Sequence, residues 1–211
     1  MINTEVMLDI AHRPARDQGR RPTCIAFALA DAQLRTAPQL EALSAEYLYQ
    51  VAAFGSPEWQ PHSGVALDAA IRAVSLGLPE EEEYPYQAEE PSAPLVEPTL
   101  EADMHGIRMD YSSVDADRLV SKLRLGDPVG LGLRLTDTFF SPTEGLIAFN
   151  IEALPNELHA VLAVGLGWAG DDAHLYIRNS WGPGWGQNGC AWISMRYILE
   201  HGLCLMELQD G

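Results

Sequence analysis

Between residues 23 and 35 the apolar side chains of Ile25, Ala28, Leu29 and Ala32 recur at the spacing of one helical face, and Phe27, Ala30 and Leu34 widen it. This predicts a largely buried helix opening at Thr23, with Cys24 in its first turn. Cys24 aligns with Asp31 and Arg35 rather than with the apolar residues, so it belongs at the edge of the core, on the tip of that helix. Similar patterning predicts a second helix over Ser44–Ala53 and a third over Val65–Leu76, introduced by Ser63-Gly64 and stopped by Gly77. The first 22 residues are polar and Arg-rich, with Pro14 and Pro22. Farther on, the acids Glu80 to Glu83 and the prolines Pro85, Pro91, Pro94 and Pro98 exclude long regular elements, and the stretch reads as a crossing or linker.

The second half changes period. After a short helical pattern around Asp115–Leu125, Val129, Leu131, Leu133 and Leu135 alternate with Gly130, Gly132 and Arg134, which is strand spacing. Three further apolar runs, HAVLAVGLGW, HLYIRNSW and CAWISM, are separated by Gly, Asp and Pro turns. No internal repeat interrupts the series. Helices followed by strands indicate an α+β fold, with a helical lobe over about residues 10–105 and a β lobe over about 106–211 that also takes up the N-terminal segment.

Composition narrows the functional classes. At 211 residues and 47% hydrophobic content the chain can fill a sizeable core. Its 30 Asp and Glu against 13 Lys and Arg give a net charge of -17, which repels nucleic acid and anionic membrane surfaces. A basic peptide would be attracted, but the run Glu80–Glu83 reads first as a solvated face. No apolar stretch approaches the roughly 18 residues that span a bilayer, and the N-terminus lacks the pattern of a secretory signal. Cys24, Cys190 and Cys204 are too few and too scattered for a disulfide framework or a paired-cysteine metal site. A reducing, cytoplasmic location is expected, with delivery elsewhere only by a non-classical route. The six histidines include no metal-ligand spacing, and the Gly-rich end of the HAVLAVGLGW run is not followed by a helix, so neither a metal nor a dinucleotide cofactor is expected.

The candidate chemistry starts at Cys24. Unpaired N–H groups and the helix dipole favour a thiolate at a helix N-terminus, although free cysteines are also among the most buried residues, and position alone leaves both readings open. The surrounding string RDQGRRPTCIAFA resembles the catalytic cysteine segment of the papain-like peptidases, where a Gln-Gly pair precedes a cysteine at a helix start. ELHAVLAVGLG resembles that family's histidine strand, and YIRNSWGPGWGQNGCAWIS its asparagine turn. His159 and Asn179 follow Cys24 by 135 and 155 residues, within or near the family's usual spacing of about 130–150.

The resemblance implies a two-lobe fold, a helical lobe packed against an antiparallel β-barrel-like lobe with the active-site cleft between them. It implies Cys24 as nucleophile and His159 as its proton partner, in a thiolate–imidazolium pair. Asn179 orients the imidazole, Trp181 shields the His–Asn bond, and Gln18, six residues before Cys24, donates to the oxyanion with the Cys24 backbone N–H. Ser63-Gly64 is similar to the family's glycine segment that pairs with an extended peptide, flanked by Val65 and Leu158 as an apolar side-chain pocket. The implied activity is peptide-bond hydrolysis through a thioester. Acyl transfer, amide hydrolysis or deconjugation at the same site, or a silent binding module of this fold, are the alternatives.

Arg21, Pro22, Thr23 and Ile25 depart from the family pattern, which has a disulfide-forming Cys and a Gly before the nucleophile and a Trp after it. No cysteine precedes His159 to pair with Cys204, so Cys190 and Cys204 are expected as core thiols. Only 23 residues precede Cys24, so a whole gene product of this sequence is expected to lack the inhibitory pro-segment of secreted relatives, an arrangement that resembles compact bacterial members of the family. Restraint by a regulatory or activating protein partner is one expectation, alongside peptide or protein substrates.

Overall fold

The computed structural model describes residues 1–91 and 101–209; Pro94 and Pro98 of the expected linker lie outside them. It resolves into two compact units. One comprises Met1–Asp17 and Tyr111–Glu207, the other Gln18–Asp110 with the end of the chain from Leu208.

The second unit carries helices α1 (Cys24–Gln33), α2 (Ala45–Phe54) and α3 (Leu67–Leu76), which pack on one another. From Ala26 to Gln33 every residue of α1 is buried, because small alanines let neighbouring helices approach from all sides. Thr23 precedes α1 and Gln33 ends it, two residues short of the expected Arg35. Similarly, α3 starts two residues later than the Val65 expected from its apolar pattern, since the positive φ of Gly64 (71°) and the extended backbone of Ala66 hold that entry outside the helix. Within the stretch expected as a linker, residues 80–86 make specific contacts with the helices. Leu43 bridges Glu80, Glu81 accepts from the Tyr86 N–H at 2.9 Å, and Tyr84 and Tyr86 pack edge-on against Tyr47 and Phe27.

Apart from Met109, Asp110 and Leu208 at the ends of β2 and β8, the first unit holds a sheet of strands β1 (Asn3–Met7), β2 (Met109–Ser112), β3 (Val129–Arg134), β4 (Leu146–Ile147), β5 (Leu158–Ala169), β6 (Asp172–Arg178), β7 (Cys190–Ser194) and β8 (Gly202–Leu208). Its order is β2-β8-β3-β5-β6-β7-β4. The expected barrel-like lobe is corrected here. The sheet stays open, its far edge is a two-residue strand paired parallel to β7, and every other registered pairing is antiparallel. A strand that short gives too little hydrogen-bonding edge for closure.

β5 is the central strand. Along one edge it pairs first with β3 and then with β1, while β6 covers the other edge with a register shift between Ala163 and Gly165. Buried almost throughout, it reads as one apolar run. Helices α4 (Ala116–Arg124) and α5 (Met195–His201) pack on this sheet around Leu119, Leu131, Leu133, Val161, Ile177 and Ile198. Cys190 is buried, whereas Cys204 is only half-buried on β8 against Gly132, so its place as a core thiol is partial. Burial pushes the Cys204 thiol up, against the Gly132 backbone hydrogen bond. Among the described residues no helix is long and apolar enough to cross a membrane.

Candidate active site

His159 is the second residue of β5, opposite Leu133 of β3. The antiparallel β6 ends at Arg178, opposite Leu162, and Asn179 follows it directly. This brings the Asn179 Oδ1 to 2.7 Å from His159 Nε2. The same oxygen accepts the Ser180 N–H at 2.8 Å, and an amide NH2 group placed there could not accept from either donor. The amide is thereby oriented, and Nε2 of His159 must be the protonated nitrogen. Nδ1 is left with its lone pair, as a general base requires.

The loop after β6 is held in shape from within. The Asn179 N–H donates to Gly189 at 2.9 Å, the Gly189 N–H to Trp185 at 2.8 Å and the Gly182 N–H to Arg16 at 3.0 Å. Gly189 sits at φ 83° with Ala15 packed where a Cβ would project, so no side chain fits. Arg178 ties this region to the N-terminal segment by donating to the Arg13 and Pro14 carbonyls at 2.7 and 2.6 Å. The glycines of this motif therefore serve a compact turn that carries Asn179 and Trp181.

Trp181 lies over the imidazole with ring centroids 4.6 Å apart, and Phe139 approaches the same ring edge-on at 5.9 Å. His159 is 7% exposed. Burial pushes its pKa down to about 4, against the opposing pull of the Asn179 carbonyl. An imidazolium at this position needs a negative partner.

The burial of His159 has a measurable consequence in a chain without the Cys24 thiol. In a Cys24→Ala background the folded state refuses a proton between pH 6.5 and about 4 that the unfolded chain accepts, so stability falls as pH is lowered through that window. Urea unfolding at pH 7 and pH 4 should show a loss larger by about 3 kcal/mol than in Cys24→Ala/His159→Gln. Equal pH dependence of the two proteins would remove this assignment.

In the other unit, Cys24 is the first residue of α1 and is half-buried, and no disulfide joins it, Cys190 or Cys204. Gln18 is buried, its Nε2 donating to the Arg21 carbonyl at 2.7 Å. Arg21 is buried under a network in which its guanidinium pairs with Glu46 and Glu90, donates to the Gln87 carbonyl, and faces the rings of Tyr49 and Tyr86 at 5.0 and 4.9 Å. Ser63 donates its hydroxyl to the Gln60 carbonyl at 2.6 Å. A Cβ on Gly64 would press on the Pro22 carbonyl at 3.2 Å, so this glycine lies against the loop before Cys24.

The expected site residues thus divide between the units. His159, Asn179 and Trp181 are brought together in one, and Gln18, Cys24, Ser63, Gly64 and Val65 belong to the other. Leu158, expected in an apolar pocket, is 61% exposed because it opens β5 at the sheet's end. Sequence reasoning did not single out Arg21 or Tyr86 as partners of the Gln18–Cys24 segment. Their signal was an Arg and a Tyr-Pro-Tyr cluster in stretches read only as departure and linker.

A family model described as papain family cysteine protease matches residues 9–208. A cathepsin L-like protein of Caenorhabditis elegans is 28% identical over 184 residues, 82% of this chain and 53% of its own. Vignain of Phaseolus vulgaris is 28% identical over 201 residues, 90% of this chain and 53% of its own. The chain spans about half the length of these curated relatives. Among solved structures, xylellain, a cysteine protease from Xylella fastidiosa, superposes with a TM-score of 0.78 at 26% identity, covering 99% of this chain and 87% of that one.

Proposed function

The chain belongs to the papain family of cysteine proteases, and we propose that it hydrolyses peptide bonds through a thioester formed on Cys24. The observation that carries this reading is the fixed tautomer of His159, whose Nε2–H is held by Asn179 so that Nδ1 is the basic nitrogen. In the proposed cycle Nδ1 takes the Cys24 proton, giving a thiolate and an imidazolium that compensate each other's charge. The thiolate sulfur attacks the scissile carbonyl carbon. Collapse of the tetrahedral intermediate breaks the C–N bond, and the imidazolium gives its proton to the leaving amine. Water then attacks the thioester carbonyl as His159 takes a proton from it, and the C–S bond breaks to release the carboxylic acid and regenerate Cys24.

Gln18 and the Cys24 N–H are the proposed oxyanion donors, with the Gln18 amide steadied by the Arg21 carbonyl. Gln18→Glu keeps size but cannot donate when ionised. It should lower kcat by about 10²–10³ with little change in KM; an effect confined to KM would assign Gln18 to substrate binding instead. Ser63 and Gly64 are proposed to pair with an extended substrate backbone, with Val65 and Leu158 contacting a side chain. A bacterial, cytoplasmic setting belongs to the same proposal, supported by the likeness to the Xylella protein and by three cysteines that all carry thiols.

Incubation with a mixed peptide library, followed by mass-spectrometric reading of new termini, tests the activity. Cleavage by the wild-type chain and none by His159→Ala is the expected pair of results. A chain whose Cys24 takes up an epoxide-type thiol inhibitor yet cuts no peptide acts on another acyl bond, such as an isopeptide or a glutamine amide.

A further inference from the structure

Among the described residues three helices begin with a side-chain cap. Ser44, Asp115 and Ser194 precede α2, α4 and α5 in extended backbone, and their oxygens accept the N–H groups of Tyr47, Arg118 and Tyr197. At α1 the preceding residue is Thr23, equally able to cap, yet its side chain makes no capping bond and its backbone (φ -108°, ψ 13°) is not extended. The hydroxyl is taken elsewhere. Thr23 Oγ1 lies 2.9 Å from the Tyr86 hydroxyl, which donates its own hydrogen to the Gln18 carbonyl at 2.8 Å. With that hydrogen committed, the Tyr86 oxygen accepts from Thr23. Thr23 is fully buried, so its hydroxyl has no water to turn to.

We propose that Tyr86 is a positioning residue for the nucleophile: by holding the Thr23 hydroxyl away from α1, it keeps the first turn's backbone N–H groups directed at the Cys24 thiolate rather than at a cap. The inference rests on the reading of Cys24 as nucleophile. One bridging hydroxyl thereby serves both ends of the segment, restraining the Gln18 backbone on one side and the α1 tip on the other. Tyr86 is itself held by Arg21 over its ring, by Phe27 edge-on at 4.8 Å and by Glu81 accepting its N–H. The charged groups facing it are Arg21, Glu46, Glu90 and Glu81. Burial raises the Tyr86 pKa, so its hydroxyl stays protonated through the neutral range.

The test is the rate of Cys24 alkylation by iodoacetamide between pH 4 and 8, followed by peptide mass mapping in the full chain. Tyr86→Phe strands the Thr23 hydroxyl, which then turns to the first-turn N–H groups. The acid limb of the Cys24 profile should move up by about one pH unit, with alkylation at pH 5 about tenfold slower. Thr23→Val removes the hydroxyl while leaving Tyr86 on Gln18, and should keep the wild-type profile. Thr23→Val/Tyr86→Phe should regain most of the lost reactivity, a rescue that a merely structural role for Tyr86 would not give. An unchanged Tyr86→Phe profile, or a Thr23→Val profile shifted like that of Tyr86→Phe, overturns the inference while leaving the nucleophile reading intact. Should Tyr86→Phe not fold, a Thr23→Val acid limb moved up by about one pH unit overturns the inference, and a wild-type limb upholds it. Wild-type Cys24 alkylating no faster than Cys204 below pH 7 removes the nucleophile reading and the inference with it.

Discussion

Cys24→Ala is expected to lower peptide hydrolysis by about 10⁴-fold or more, to the level of the uncatalysed reaction plus whatever binding alone supplies. No other side chain can carry the acyl group in the proposed cycle. His159 by itself, with a pKa near 4, is a weak base at neutral pH toward water. Cys24 is half-buried at the tip of α1 rather than within it, and the helix below is buried through its own alanines, Phe27 and Leu29. Replacing the thiol by hydrogen therefore leaves a small defect at an edge, and the far-UV spectrum and urea midpoint at pH 7 should change little. Turnover that survives the substitution would exclude Cys24 as nucleophile.

Arg21→Met should have the largest effect on stability. Arg21 pairs with Glu46 and Glu90, three side chains at most 3% exposed, and Glu46 also accepts from Gln50 at 2.7 Å. Burial would raise the Glu90 carboxyl, but its bonds to Tyr49 and Arg21 outweigh this and hold it below the usual range. Removing the one cation leaves two buried carboxylates facing each other, a loss of about 3–5 kcal/mol in urea unfolding at pH 7. Part of it should return in Arg21→Met/Glu46→Gln/Glu90→Gln, because a neutral cluster has no uncompensated charge. A single substitution costing under about 1 kcal/mol would show that the network is incidental. The network also touches the proposed substrate segment, since Glu90 accepts the His62 N–H at 3.3 Å. An ionic hub thus joins α2, Tyr86 and His62 to the loop before Cys24.

Elements with a strong local signature were legible in the sequence. The buried face of α1 and the alternation of β3 follow from periodicity, and the Asn179 turn from glycines that a positive φ or a close neighbour requires, as Ala15 does at Gly189. Strand β1 was hidden because Asn3–Met7 is largely polar and gains its partner only from β5, some 160 residues on. Helix α5 has a cap, Ser194, but only seven residues, and it follows β7 without a turn. Openness of the sheet depends on β4 being two residues long, which alternation cannot reveal. At the candidate site, residue identities and order could be read, whereas the His159 tautomer depends on which atom of Asn179 meets Ser180. Arg21 and Tyr86 escaped notice for a related reason. Arg21 meets Glu46 and Glu90 25 and 69 residues on, and Tyr86 meets Thr23 and Gln18 63 and 68 residues back, by polar geometry that leaves no periodic trace.

The central claim, a nucleophilic thiolate at Cys24, is tested most directly by one intact-mass and peptide-mapping experiment with an epoxide-type thiol inhibitor at pH 6. A single adduct on Cys24, formed at least tenfold more slowly when His159 is replaced by Ala, is the predicted result. An adduct on Cys190 or Cys204 with Cys24 unmodified would contradict it.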